Sequence, residues 1–133
     1  MASTTTNETT QGLALPTLPA AHWLVRLPLA AVFLYHGITK FPALAAGAEF
    51  MGLPLAIWTL VAIGEVLAGA ALIGGGLLRT NLGDVVTRLG GIGVAIIMVG
   101  AIYLVHLGPW SGMEFQVLLL GAGLYFAARG NAA

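Results

Sequence analysis

Five ionisable side chains in the apolar part of the chain are of types that do chemistry: His36, Lys40, Glu65, His106 and Glu114. His36 and Lys40 stand four residues apart in "LYHGITKF", directly after the apolar run "LPLAAVF", so both fall on one face of a helix. Glu65 lies in "AIGEVLAGA", among mostly small neighbours that leave room for a facing helix or a ligand. A carboxylate in such surroundings needs a partner or a proton, and His36 or Lys40 is the natural candidate. Together these groups could donate hydrogen bonds to a ligand oxygen and hand protons to it.

Each residue also has a structural alternative. Glu65 could pair with the first helix only to fix packing, and His36 could simply hydrogen-bond across helices. His106 stands at a helix end before "LGPW", where an interfacial, solvated residue is expected, and Glu114 in a first turn complements the helix dipole. Haem on His36 and His106 is not expected, because a bis-His pair needs opposite walls of a wide pocket and nothing else supports it. A metal site using the same histidines with Glu65 and Glu114 lacks any diagnostic spacing such as Glu-x-x-His. The chain has no cysteine, so thiolate metal sites and a CxxC redox pair are excluded. The chain itself therefore carries no recognisable cofactor, and any redox chemistry has to involve something bound or docked.

The elements that must position these residues follow from composition. Of 133 residues, 59% are hydrophobic and 8% charged, with five basic and five acidic side chains, and the mean hydropathy is +0.96. A soluble domain usually carries roughly 25% charged residues, so a water-facing surface could not be covered, and the chain reads as a membrane protein. With no net charge and no basic stripe, nucleic acid is not an expected partner. Residues 1–21 read as a polar, Thr-rich tail, unlike a secretory signal because a basic n-region is missing. Four apolar segments follow, at about 22–41, 54–78, 85–107 and 113–129, within a membrane domain at 22–129, and residues 130–133 read as a short tail. Each segment is near the roughly 20 residues a spanning helix needs. The connections "PALAAGAEFMGL", "RTNLGD" and "GPWSG" are short, which makes neighbours antiparallel. The expected fold class is all-α, an integral membrane up-down four-helix bundle. The small-residue runs "AGAALIGGG" and "LGGIGVA" read as close helix packing and not as a phosphate loop.

An even number of spans puts Arg26, Arg79, Arg88 and Arg129 on one side and Lys40 alone on the other. The positive-inside rule then expects both termini to be cytoplasmic, the arginines acting as orientation or structural residues at the inner rim. In the outer half, His36 lies about 7–8 Å inside the Phe41 end and Glu65 about 16 Å below Pro54. Lys40 can snorkel to the interface. All four helices thus aim an ionisable group into the outer half of one bundle.

The order and spacing of several elements carry a family resemblance. These are the Arg26 opening, His36-Gly37-x-x-Lys40-Phe41, Gly64-Glu65, Leu78-Arg79, His106 and Glu114-Phe115. Over about residues 26–126 the chain resembles the DoxX family of small four-helix bacterial membrane proteins, related to the DoxD type. It departs from that pattern in its "AARGNAA" ending and its Thr-rich start. The resemblance implies kinship with the membrane subunit of a thiosulfate:quinone oxidoreductase, and with members implicated in complexes with a superoxide dismutase and a sulfurtransferase. It marks His36, Lys40, Glu65, Arg79, His106 and Glu114 as candidate site or structural residues.

The expected function is a membrane subunit of a redox complex that could bind a quinone headgroup through His36, Lys40, Glu65, His106 and Glu114. It would be at most a subunit of an oxidoreductase, since electrons must come from a partner. The alternatives are a non-catalytic membrane anchor or assembly subunit, and a small transporter or proton-conducting bundle built on the same buried Glu65. Expected partners are the lipid bilayer, a redox partner protein and, as an open option, further copies of the chain.

Overall fold

The computed structural model describes residues 19–132; the remainder of the N-terminal segment, 1–18, and residue 133 lie outside the described residues. Helix α1 is Trp23–Lys40, α2 Leu44–Met51, α3 Leu55–Leu77, α4 Asn81–Ala101 and α5 Trp110–Arg129. Pro28 lies inside α1. It removes the amide that would meet the Leu24 carbonyl, a loss that spanning helices tolerate.

Four segments are long and apolar enough to cross a membrane: Trp23–Met51, Leu55–Leu77, Asn81–His106 and Trp110–Ala132. Large apolar side chains point outward along all of them, with Leu24, Leu60, Ile96 and Leu118 each more than 60% exposed. That surface suits hydrocarbon and not water. The chain is an all-α, multi-pass membrane protein.

The helices stack in chain order. α1 packs on α3, α3 on α4 and α4 on α5, while α1 and α5 touch only sparingly. Small residues set the close approaches. A methyl group on Gly37 would sit 2.7 Å from Val66 Cγ2 and 2.9 Å from the Ala62 carbonyl oxygen, and one on Gly91 would sit 2.6 Å from the Gly123 oxygen. These separations are possible only where no side chain intervenes, which is how helices gain packing energy in lipid. Leu29, Phe33, Leu72, Val94 and Phe126 fill the centre of the stack.

Several boundaries differ from the sequence expectation, among them the start of α5 at Trp110 and not about 113. The stretch after Lys40, read as a connection, turns through a 3-10 segment, Phe41–Ala43, and continues as α2. Pro42 ends the regular helix, but "LAAGAEFM" consists mainly of helix formers and resumes it until Gly52 at φ +64°. There the Gly52 amide donates to the Glu49 oxygen and the Leu53 amide to the Ala48 oxygen. The third span starts at Asn81, earlier than the apolar run, because the Thr80 hydroxyl accepts from the Gly83 amide and caps it. Its far end widens into a π-helical turn, Ile102–His106. Residues 130–132, read as a tail, form a 3-10 turn against the bundle.

Candidate functional site

At the Lys40 end of the bundle a cavity of about 610 Å³ opens, lined from all the long helices. Its walls are almost wholly apolar. The polar exceptions are His36 and Lys40 from α1, Glu65 from α3, His106 from the π-helical turn and Gln116 from α5, with Trp58 beside them.

The centre of the site is an ion pair. Lys40 Nζ lies 2.6 Å from Glu65 Oε2, and the two side chains are only 12% and 8% exposed. The ammonium also donates to the His36 carbonyl oxygen at 3.0 Å and lies 5.0 Å from the centre of the Trp58 ring, a cation–π distance. Of the two partners the sequence offers Glu65, the structure selects Lys40. The expectation that Lys40 snorkels outward is therefore corrected. The apolar helical run continues past Phe41 to Met51, and the Lys40 side chain, 12% exposed, turns to the buried Glu65 carboxylate.

The remaining expected residues divide. The His36 ring lines the cavity from the exposed side of α1, edge-on to Tyr35. His106 is half-buried and its Nε2 lies 3.1 Å from Gln116 Nε2. One ring nitrogen thus accepts from the amide when the imidazole carries its proton on Nδ1. Glu114 is exposed and is not among the lining residues. Glu114 stands two positions from Gln116 and so on a different side of the helix; the expectation that it serves the first turn is corrected, because α5 begins at Trp110 and has no acidic residue in its first turn. Gln116 and Trp58 are not among the residues singled out from sequence. An amide inside the apolar run "FQVLLLGAGLYF" was the available signal for the first, and nothing marked the second apart from packing.

Arg26 is a second correction. It is not a rim residue but wholly buried. Its Nη1 donates to the Leu72 oxygen at 2.6 Å and the Thr87 hydroxyl at 3.0 Å, and Nη2 donates to Asn131 Oδ1 at 3.1 Å. The guanidinium also lies 4.6 Å from the Phe126 ring centre. Asn131 ties this end together, since its side-chain amide donates to the Gly75 oxygen at 2.8 Å and its backbone N–H to Asp84 Oδ1 at 2.8 Å. Arg88 pairs with Asp84 at 2.8 Å and donates to the Ala127 and Ala128 oxygens at the end of α5. Arg79 is exposed just past α3, and Arg129 donates to the Ala132 oxygen. This end of the bundle is tied together by hydrogen bonds between α1, α3, α4 and the C-terminal turn.

A family model, DoxX, matches residues 21–107. The chain belongs to the DoxX family. The match covers the first three spans and includes Arg26, His36, Lys40, Glu65 and His106. Among curated DoxX-related proteins, the chain is similar to one from Bacillus subtilis (strain 168) named "Putative oxidoreductase CatD". The two are 33% identical over 110 residues, covering 81% of this chain and 78% of the relative. No solved structure gives a significant match.

Proposed function

We propose that this DoxX protein is the membrane subunit of a redox complex and that its cavity at the Lys40 end binds a quinone headgroup. The observation that carries the reading is the Lys40–Glu65 pair, a charged hydrogen-bonding centre in an otherwise apolar cavity. The ammonium has three N–H donors. Two are engaged by Glu65 and the His36 carbonyl, which leaves one for a ligand carbonyl oxygen. A bound quinone would supply the electron acceptor, taking two electrons from a partner oxidoreductase and two protons to become the quinol. The chain's own part is to hold that oxygen, keep a proton within hydrogen-bond reach at Lys40 and Glu65, and admit replacement protons past the exposed His36. The oxidoreductase name of the B. subtilis relative agrees with this role.

Proton conduction through the bundle finds less support. Arg26 and Lys40 are about 21 Å apart along α1, and buried Leu29, Phe33, Leu72 and Val94 fill the space between the two polar ends. The arginine distribution supports an orientation with both termini cytoplasmic, and the DoxX membership agrees with a bacterial inner membrane.

Purification in mild detergent from native membranes, with mass spectrometry of co-purifying proteins and lipid-soluble ligands, tests this reading. A quinone and an oxidoreductase should accompany the protein. The quinone should be lost from Glu65→Gln and His36→Ala variants that still fold. A chain that emerges alone and ligand-free sinks the redox assignment, and solute or proton flux in liposomes holding only this chain would replace it with transport.

A further inference from the structure

The Arg26 end of the bundle carries positive charge that its described residues do not balance. Arg26, Arg79, Arg88 and Arg129 lie there with a single carboxylate, Asp84. Asp84 is already committed, one oxygen accepting from Arg88 Nε and the other from the Asn131 amide. Among the described residues Arg26 has no carboxylate within ion-pair distance. Its three acceptors are neutral oxygens, and its Nε meets none. A buried cation held only by neutral oxygens attracts any anion that can come near.

A second cleft, of about 790 Å³, lies over this charge, with Arg26 itself buried behind its wall and not among the lining residues. Trp23, Gly76 and Asn131 line it, and the same three residues surround the Arg26 guanidinium. The Trp23 ring centre is 5.3 Å from Arg26 Cζ, Asn131 Oδ1 is 3.1 Å from Nη2, and a methyl group on Gly76 would lie 2.9 Å from Cζ. Glycine at position 76 therefore leaves the buried charge directly beneath the cleft. Arg79 and Thr80 line the same cleft, at the start of α4, where the helix dipole adds to the positive field.

We propose that this cleft is a binding site for a phosphate-type oxyanion, of which the headgroup of an acidic phospholipid and free inorganic phosphate are the two sources. The buried Arg26 charge and the Arg79 guanidinium attract it, and the hydroxyl of Thr80 and the Asn131 amide are polar groups at the same cleft. The site is separate from the Lys40–Glu65 cavity and does not depend on what that cavity binds.

The test uses the full chain in phosphatidylcholine nanodiscs with and without phosphatidylglycerol, followed by native mass spectrometry of the lipids it retains. One phosphatidylglycerol should stay bound in preference to phosphatidylcholine. Arg79→Gln should lower its retention about fivefold, the factor expected for one basic residue near a headgroup. Arg129→Gln removes the same charge from the same end but outside the cleft, and should leave retention unchanged. Equal losses in the two variants would reduce the effect to diffuse surface attraction and overturn the proposal, as would equal retention of the neutral lipid. Competition by millimolar inorganic phosphate would identify a site for the free ion as well. Its failure would assign the site to the lipid headgroup.

Discussion

Removing one partner of the Lys40–Glu65 pair should cost far more than removing both. At 2.6 Å and an effective dielectric of about 20, the attraction between the two charges is about 6 kcal/mol. Desolvating two side chains that are 12% and 8% exposed offsets most of it. The net worth of the pair against well-packed apolar residues is therefore small. A single replacement is different, because it strands a charge in an apolar wall. Glu65→Leu or Lys40→Met should each destabilise the folded protein by about 3–5 kcal/mol. The double variant Lys40→Met/Glu65→Leu should recover to within about 2 kcal/mol of the parent, since volume is nearly kept and no charge is left unpaired. Equilibrium unfolding in a fixed detergent, read by circular dichroism for the four proteins of this cycle, gives the coupling energy directly. Additive losses below about 1 kcal/mol would show that the pair is solvated and that the cavity does not isolate it.

Other outcomes follow from the packing. Gly91→Ala should destabilise by about 1–3 kcal/mol, because the added methyl meets the Ala127 amide nitrogen and the Gly123 oxygen, backbone atoms that cannot turn aside; Gly121→Ala, where nothing lies within 4 Å, should change the same unfolding midpoint by no more than about 0.5 kcal/mol. Asn131→Ala removes four side-chain partners, those of Arg26, Thr87, Gly75 and Leu78, and should cost about 2–3 kcal/mol in unfolding experiments, because the Arg26 charge stays buried with fewer acceptors. Thr80→Ala should cost about 1 kcal/mol as a lost helix cap, measurable as a lower thermal midpoint and faster amide exchange at the start of α4.

The four spans were legible because hydropathy over some 20 residues is a local property. Lys40 and Glu65 were legible as well, since a charge in an apolar run stands out wherever it pairs. The choice of Lys40 over His36 as the partner was not. It depends on helix rotation and on α2, whose alanine-rich sequence looks like a connection until Pro42 and Gly52 are read as its two ends. Arg26 reads as a rim residue from sequence because it lies near the start of the apolar segment at about 22–41. Its burial depends on Asn131, 105 residues away, and no local pattern announces that contact. Glu114 and Gln116 show the same limit on a smaller scale. They are two positions apart on α5, so they face different directions, and only the packing of α5 on α4 decides that Gln116 faces the cavity.

The most direct test of the central claim is photolabelling of the membrane-embedded protein with an azido-quinone, with the labelled residues mapped by mass spectrometry. Labels should concentrate on cavity residues such as Ile57, Trp58, Ile97 and Leu104, fall when excess unlabelled quinone is added, and disappear in the Lys40→Met/Glu65→Leu variant, whose fold is expected to survive. Labels spread over the lipid-facing side chains, indifferent to competitor and to the loss of the ion pair, would contradict a quinone site in this cavity.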